Sequence, residues 1–149
     1  MSEIKTDLVK LLDKLIMNTG VKSGSLITED GIVIANNTNQ DIQDEELNSS
    51  FAAISASILS MAERGIEIIN NSKILEQIKI DAGSSENPES NFSIWITRIY
   101  SNVLLQIIFP KRIKIGLIHF EITKFIKDTG KIIQNSFSRD FFSSIGSLT

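Results

Sequence analysis

The sequence predicts an α/β domain of the α+β type. We expect a five-stranded antiparallel sheet between helix 2 on one face and helices 1 and 3 on the other. Three observations lead to this prediction. Helical and strand patterns follow one another as α-β-β-α-β-β-β-α. The first two strands are apolar on both faces, so both faces need a cover. The links between successive strands suit hairpins, whereas parallel crossovers need a dozen residues or more.

The first helix and hairpin are well marked. Apolar residues recur at intervals of three and four over 3–18, which predicts helix 1, and Gly20 follows as a stop. The segment SGSLITEDGIVIA then predicts strands over 23–28 and 32–36. Asp30 tolerates turn geometry, and Gly31 supplies the positive φ that a bulged hairpin needs. A polar loop is expected over 36–42.

Helix 2 is predicted over 44–65 and is the most informative element. Acidic residues at 44–46 suit the positive end of a helix dipole. Apolar or small residues occupy most of its circumference, so we expect burial on two sides, by its own sheet and by a second subunit. The large side chains on this surface are Leu47, Phe51, Ile54, Ile58 and Met61.

The second half of the chain predicts three more strands and a helix. Strands are expected over 73–82, 92–99 and 103–109, and helix 3 over 112–136. Ile74 and Ile78 share the apolar face of the third strand. Trp95 lies in the alternating fourth strand, and we interpret it as a core residue.

The domain is expected to cover 1–136, followed by a C-terminal tail over 137–149. Phe137, Phe141 and Ile145 are spaced by four, with Phe142 beside them. A short amphipathic helix in the tail would present these side chains on one stripe. The stripe could bind a groove in a partner, or it could pack on its own domain, because periodicity does not name the surface that it covers.

Composition limits the classes of function. The 149 residues suffice for one domain, and the net charge of −3 weighs against nucleic acid as a partner. No apolar run reaches the roughly 20 residues of a membrane span, so an integral membrane protein is not expected. The first residues carry acids and no small-residue cleavage site, so we expect a cytoplasmic protein without a signal peptide.

No catalytic, cofactor or metal site is predicted, and we expect a protein that is not an enzyme. Cysteine is absent, and the single histidine, His119, lies within predicted helix 3. No phosphate-binding loop or nucleophile elbow is present. The acids at 29–30 and 44–46 could bind a cation, but a turn and a helix start are the simpler interpretation.

Helix 3 is locally basic. Its cations could face an acidic partner or anionic lipid, although a solvated face is the simpler interpretation. These residues are Lys111, Arg112, Lys114, Lys124, Lys127 and Lys131.

The order of elements, with LITEDGIVIA after the first helix and a long Ala/Ser-rich second helix, resembles the Roadblock domain family. That family includes the roadblock dynein light chain, Ragulator subunits and MglB. The segment RIKIGLIHFEI also resembles the start of the family's final helix. The resemblance covers about residues 4–136 and implies a profilin-like roadblock sandwich.

The resemblance also implies partners. Family members dimerise by pairing sheet edges and second helices, and they serve as platforms for small Ras-like GTPases or for motor and membrane complexes. It therefore implies a non-catalytic dimeric adaptor that pairs with itself or with a paralogous roadblock protein and binds a small GTPase. The dimer surface would comprise helix 2 and the third strand. A small-molecule-sensing profilin- or PAS-like module and a scaffold subunit without a GTPase are the alternatives.

Overall fold

Five strands and three helices make up the fold. The structure is a computed structural model that describes residues 2–38, 45–70, 75–83, 86, 91–100 and 102–148. Side chains are described for 3–37, 49–70, 75–83, 86, 91–100, 102–132 and 134. The elements are α1 (Ser2–Thr19), β1 (Ser23–Thr28), β2 (Val33–Thr38), α2 (Glu45–Asn70), β3 (Gln77–Ala82), β4 (Phe92–Tyr100), β5 (Val103–Pro110) and α3 (Ile115–Leu148).

The strands form one antiparallel sheet in the order β2-β1-β5-β4-β3. Leu26 of β1 pairs with Leu105 of β5, and Trp95 of β4 pairs with Ile107 on the other side of the same strand. β5 is therefore central and β2 and β3 are the two edges. The predicted sheet and α+β class are confirmed.

Helices cover both faces of the sheet, as the apolar pattern of β1 predicted. One core contains α1, α3 and the sheet face that includes Leu26, Leu105 and Phe109. The other lies under α2 and includes Ile27 and Leu104. Adjacent residues of β5 thus point into different cores, because side chains alternate along a strand.

The first hairpin has the predicted bulged geometry. Gly31 has a φ of +87°, and the Thr28 amide donates to the Ile32 carbonyl over 2.9 Å. The register with β2 shifts between Leu26 and Ile27. An extra residue in β2 takes up this shift, as in a β-bulge.

Several predicted ends of helices and strands were wrong. α2 continues through Gly65 to Asn70, because that glycine does not adopt the positive φ that ends a helix. β3 begins at Gln77, since the Leu75 amide donates to the Glu63 side chain and not to a neighbouring strand. β2 starts one residue late and runs into the predicted loop, since β1 pairs with it as far as Thr38.

Helix α3 also departs from its predicted bounds. It begins at Ile115 and runs without a break to Leu148, past the predicted end at 136. The chain contains neither Gly nor Pro between 131 and 145, so nothing in this stretch stops the helix. No helix in the described part of the chain is long and apolar enough to cross a membrane.

Candidate interaction surface

The outer face of α2 carries an apolar stripe that its own chain leaves uncovered. Ile54 and Met61 are 57% and 67% exposed, and Ile68 is 86% exposed. Phe51 and Ile58 are half-buried beside them. These positions recur at intervals of three and four, and Gly65 completes the sequence between Met61 and Ile68. This spacing is the seam that one helix presents to another.

The inner face of α2 explains why this stripe points outward. Ala52, Ser55 and Ala56 are buried together with Leu59, so small side chains let the helix lie close to the sheet. A Cβ atom at Gly31 would lie only 2.9 Å from Ala53 Cα. Because the hairpin turn and the sheet hold this side of α2, the large apolar residues are left on the opposite side.

The edge strand β3 is the second part of this surface. Its only strand neighbour among the described residues is β4. Ile78 and Ile80 are half-buried on the side of α2, while Lys79 and Asp81 are exposed on the opposite side. An edge strand offers unpaired backbone groups to another strand. We name the outer stripe of α2 and the edge of β3 the α2–β3 surface.

A network around Arg98 fixes α2 on the sheet. Its Nη2 donates to Glu63 of α2 over 2.6 Å, and its Nη1 donates to Glu29 of the hairpin turn. Its Nε reaches the Leu75 carbonyl at 3.4 Å. Partial burial alone would lower the pKa of Arg98, but the two carboxylates hold it above its ordinary value.

An open groove of about 360 Å³ lies between the hairpin turn and α2. Glu29 and Asp30 line one side of it, and Arg64 and Met61 lie on the other with small residues between them. Beneath α2, Leu59 packs with Ile27 and Leu104 of the sheet.

Solved structures with this arrangement are similar over most of their length. Myxococcus xanthus MglB gives a TM-score of 0.72 at 21% identity, with 87% of this chain and 90% of that chain covered. The gliding protein MglB from Thermus thermophilus gives 0.72 at 14% identity, with 89% and 92% covered. A Roadblock/LC7 domain from Streptomyces avermitilis gives 0.70 at 14% identity, with 85% and 97% covered.

The chain has the Roadblock/LC7 fold. The fold implied by the resemblance in sequence is thereby confirmed. No family profile matches the chain, and no curated protein matches it either. At these levels of identity the likeness concerns the fold, so the roles of individual residues rest on the geometry described above.

Five of the seven predicted dimer-interface residues have described side chains. Phe51, Ile54, Ile58 and Met61 lie along the outer side of α2, and Ile78 lies on β3. The side chain of Leu47 and the whole of Ile74 are outside the described residues, as are the side chains of Phe137, Phe141, Phe142 and Ile145. The assignment of all these residues to partners stays a prediction.

Sequence reasoning missed parts of the surface. Ile68 and Ile69 are more than 80% exposed, but the predicted end of helix 2 at Gly65 left them out. Continuing the interval of seven from Ile54 and Met61 would have found Ile68. The sequence indicated the role of Arg98 only weakly. Arg98 is a lone cation in an apolar strand, on the side that faces α2.

Two aromatic residues stand as the sequence suggested. Trp95 is buried, and its Nε1 donates to Gln77 Oε1 over 3.3 Å. The exposed ring of His119 in α3 stacks on it, with centroids 6.0 Å apart and planes at 12°. This histidine therefore covers one face of the tryptophan. Among the described residues, no cluster of His, Asp and Glu could hold a metal ion.

Proposed function

We propose that this chain is a non-catalytic dimeric adaptor that binds and regulates a small Ras-like GTPase. The observation that carries the proposal is the exposed seam of α2 beside the edge of β3, which no further strand pairs among the described residues. A stripe of this spacing is suited to another helix, and the strand edge is suited to another strand. A second copy of the chain, or a paralogous roadblock protein, offers both at once.

The geometry of an antiparallel β3–β3 pair supports this arrangement. Antiparallel pairing of two identical edges places the two-fold axis perpendicular to the sheet. The two sheets then continue into each other with the same face upward, so both copies of α2 lie on one side. Ile54, Met61 and Ile68 of each copy would be removed from water together. One of the similar MglB structures is described as a tetrameric arrangement, which shows that this fold assembles in that protein.

The GTPase partner rests on the resemblance to the Roadblock family, whose members serve as platforms for such proteins. In this mechanism the dimer supplies shape and charge, and it shifts the GTPase between the conformations of its switch segments. Any change in hydrolysis would come from repositioning the GTPase's own catalytic groups.

Self-association is tested by light scattering coupled to size exclusion. Met61→Asp and Ile54→Asp place a carboxylate in the seam, where burying an unpaired charge is unfavourable. We expect a dimeric wild type and monomeric variants. Met17→Asp is the matched control, because Met17 is 77% exposed on α1 and lies away from the seam. A monomeric wild type, or dissociation by the control as well, would contradict the proposal.

The proposed binding of a small GTPase is tested by capture from a lysate of the same organism. The immobilised chain is loaded with extract supplemented with GDP or with a non-hydrolysable GTP analogue. We expect a small GTPase to be retained in one nucleotide state and to be lost with Met61→Asp. Retention of other proteins only, from a dimeric bait, would leave a scaffold subunit as the better description.

A further inference from the structure

The outer face of α3 combines an apolar end with a run of lysines. Leu117 and Phe120 are 43% and 66% exposed, and Lys124, Lys127 and Lys131 are exposed as well. These five residues follow at intervals of three and four, so they form one stripe along the helix. We name it the α3 stripe. It lies opposite the buried side of the helix, which carries Ile118, Ile122, Phe125 and Thr129.

The five residues of the α3 stripe include three lysines and no acid. Among the described residues none of the three forms a salt bridge. The two acids of this part of α3, Glu121 and Asp128, lie beside the stripe, where both line a crevice against α1 together with Lys124. Glu121 also accepts a hydrogen bond from Asn18 of α1. The stripe is thus cationic although the chain as a whole has a net charge of −3.

The charges of the α3 stripe differ from those on the exposed side of α1. The exposed side of α1 mixes Lys10 and Lys14 with Glu3 and Asp7, as a solvated face does. The loop before α3 instead adds Arg112 and Lys114, both exposed, to the positive end of the stripe. Cations therefore flank Leu117 and Phe120 on both sides along the chain.

The α3 stripe runs along one helix, on the side turned away from the buried residues. Fourteen residues separate Leu117 from Lys131, which corresponds to about 21 Å along a helix. A flat anionic surface can contact an exposed stripe of this kind along its length. The stripe also lies on the side of the sheet opposite α2, so contact there leaves the α2–β3 surface accessible.

We propose that the α3 stripe docks this chain on an anionic lipid surface. Leu117 and Phe120 enter the boundary between headgroups and acyl chains, and the three lysines lie over the lipid phosphates. Leu117 and Phe120 favour a lipid layer over a nucleic acid as the anionic surface. A lipid layer has hydrocarbon directly beneath its phosphates, whereas the outside of a nucleic acid duplex offers phosphates without an apolar layer.

Sedimentation with vesicles tests the proposal. Vesicles of phosphatidylcholine are compared with vesicles in which about a third of the lipid is phosphatidylserine. We expect binding to the anionic vesicles only, weakening as salt is added. Lys124→Gln/Lys127→Gln/Lys131→Gln should weaken binding on the order of a hundredfold, at about fivefold for each lysine. The same three changes to Arg should preserve it.

Two further variants separate the stripe from unspecific attraction. Phe120→Ser should weaken binding at all salt concentrations, because it removes insertion and no charge. Lys10→Gln/Lys14→Gln alters two cations of the mixed face of α1 and should change binding by less than Lys124→Gln/Lys127→Gln. Circular dichroism checks that each variant is folded.

Three outcomes would overturn the proposal. The first is equal sedimentation with neutral and anionic vesicles, or none with either. The second is an equal effect of the two double variants, which would indicate charge attraction without a site. The third is binding to duplex DNA as tight as to the anionic vesicles, which would assign the stripe to phosphates without lipid.

Discussion

Arg98 of β4 and Glu63 of α2 are joined by a 2.6 Å hydrogen bond between Nη2 and Oε1. The arginine side chain is 13% exposed and the glutamate side chain 25% exposed, so water screens this pair only in part. Glu63 also accepts from the Leu75 amide at 3.3 Å. The pair therefore fixes α2, the start of β3 and β4 against one another.

Arg98→Ala should lower the free energy of unfolding by about 2 kcal/mol, because it leaves a partly buried carboxylate without its strongest donor. Urea unfolding followed by circular dichroism measures the change. Lys79→Ala is the control, since its pair with Asp81 is 3.7 Å long and largely exposed. That variant should lose less than about 0.5 kcal/mol. Equal losses would show that Arg98 contributes no more than a surface cation.

Gly31→Ala should destabilise the domain by about 2 kcal/mol or more, for two reasons. The residue has a φ of +87°, which an L side chain tolerates poorly. The new Cβ would also lie 2.9 Å from the Cα atom of Ala53. Thermal unfolding measures the effect.

Gly130→Ala is the matched comparison. It lies in helix α3, where a Cβ meets no atom within 4 Å. It should stabilise the domain by up to about 1 kcal/mol, because alanine favours a helix interior. If Gly130→Ala destabilised the domain as Gly31→Ala does, the explanation from the positive φ and the close contact at Gly31 would be contradicted.

Ser93→Ala should raise the pKa of the Asp81 carboxyl. Ser93 Oγ donates to Asp81 Oδ1 at 2.5 Å, and this bond is the main cause that holds the pKa below its ordinary value of 3.8. Lys79 and Lys111 lower the pKa as well. NMR titration of the carboxyl group measures the change.

The sign of the pH dependence follows from this shift. A carboxyl whose pKa is lower in the folded state stabilises it above the unfolded pKa, and this stabilisation is lost as the pH falls through the folded pKa. In Ser93→Ala this stabilisation should be smaller, and its loss should be complete at a higher pH than in the wild type, because the folded pKa lies closer to the unfolded one. An unchanged pKa of Asp81 would mean that the lysines alone hold it down.

His119→Ala should shift the fluorescence of the single tryptophan to longer wavelength. The imidazole ring lies parallel to Trp95 at 6.0 Å, and its removal opens the indole to water. The stability loss should be about 1 kcal/mol, as for an aromatic pair. His119→Tyr should keep the emission near that of the wild type. An unshifted spectrum in His119→Ala would show that other side chains cover Trp95.

Local patterns predicted most of the fold. The alternation through β3 correctly placed Ile78 opposite Lys79, because a strand has only two sides. The interpretation of Trp95 as a core residue was confirmed as well. Gly31 marked the hairpin since few other residues adopt its φ. Gly65 misled the prediction of the end of α2, because a glycine permits a helix to end without requiring it.

The candidate site was predictable only in part. Ile54 and Met61 belong to a stripe that periodicity can find, although periodicity does not say which side its own sheet will cover. The contacts of Arg98 with Glu29 and Glu63 join residues 69 and 35 positions apart. Such pairs depend on the path of the chain in space, and a single sequence holds no record of that path.

Side chains along β5 alternate between the two hydrophobic cores, so this strand belongs to both. Leu104 is fully enclosed on the side of α2, and Leu105, its neighbour, is fully enclosed on the side of α1 and α3. The two side chains are attached to consecutive residues, so a displacement of their common peptide moves both. A displacement in one core can therefore reach the other core through a single peptide unit.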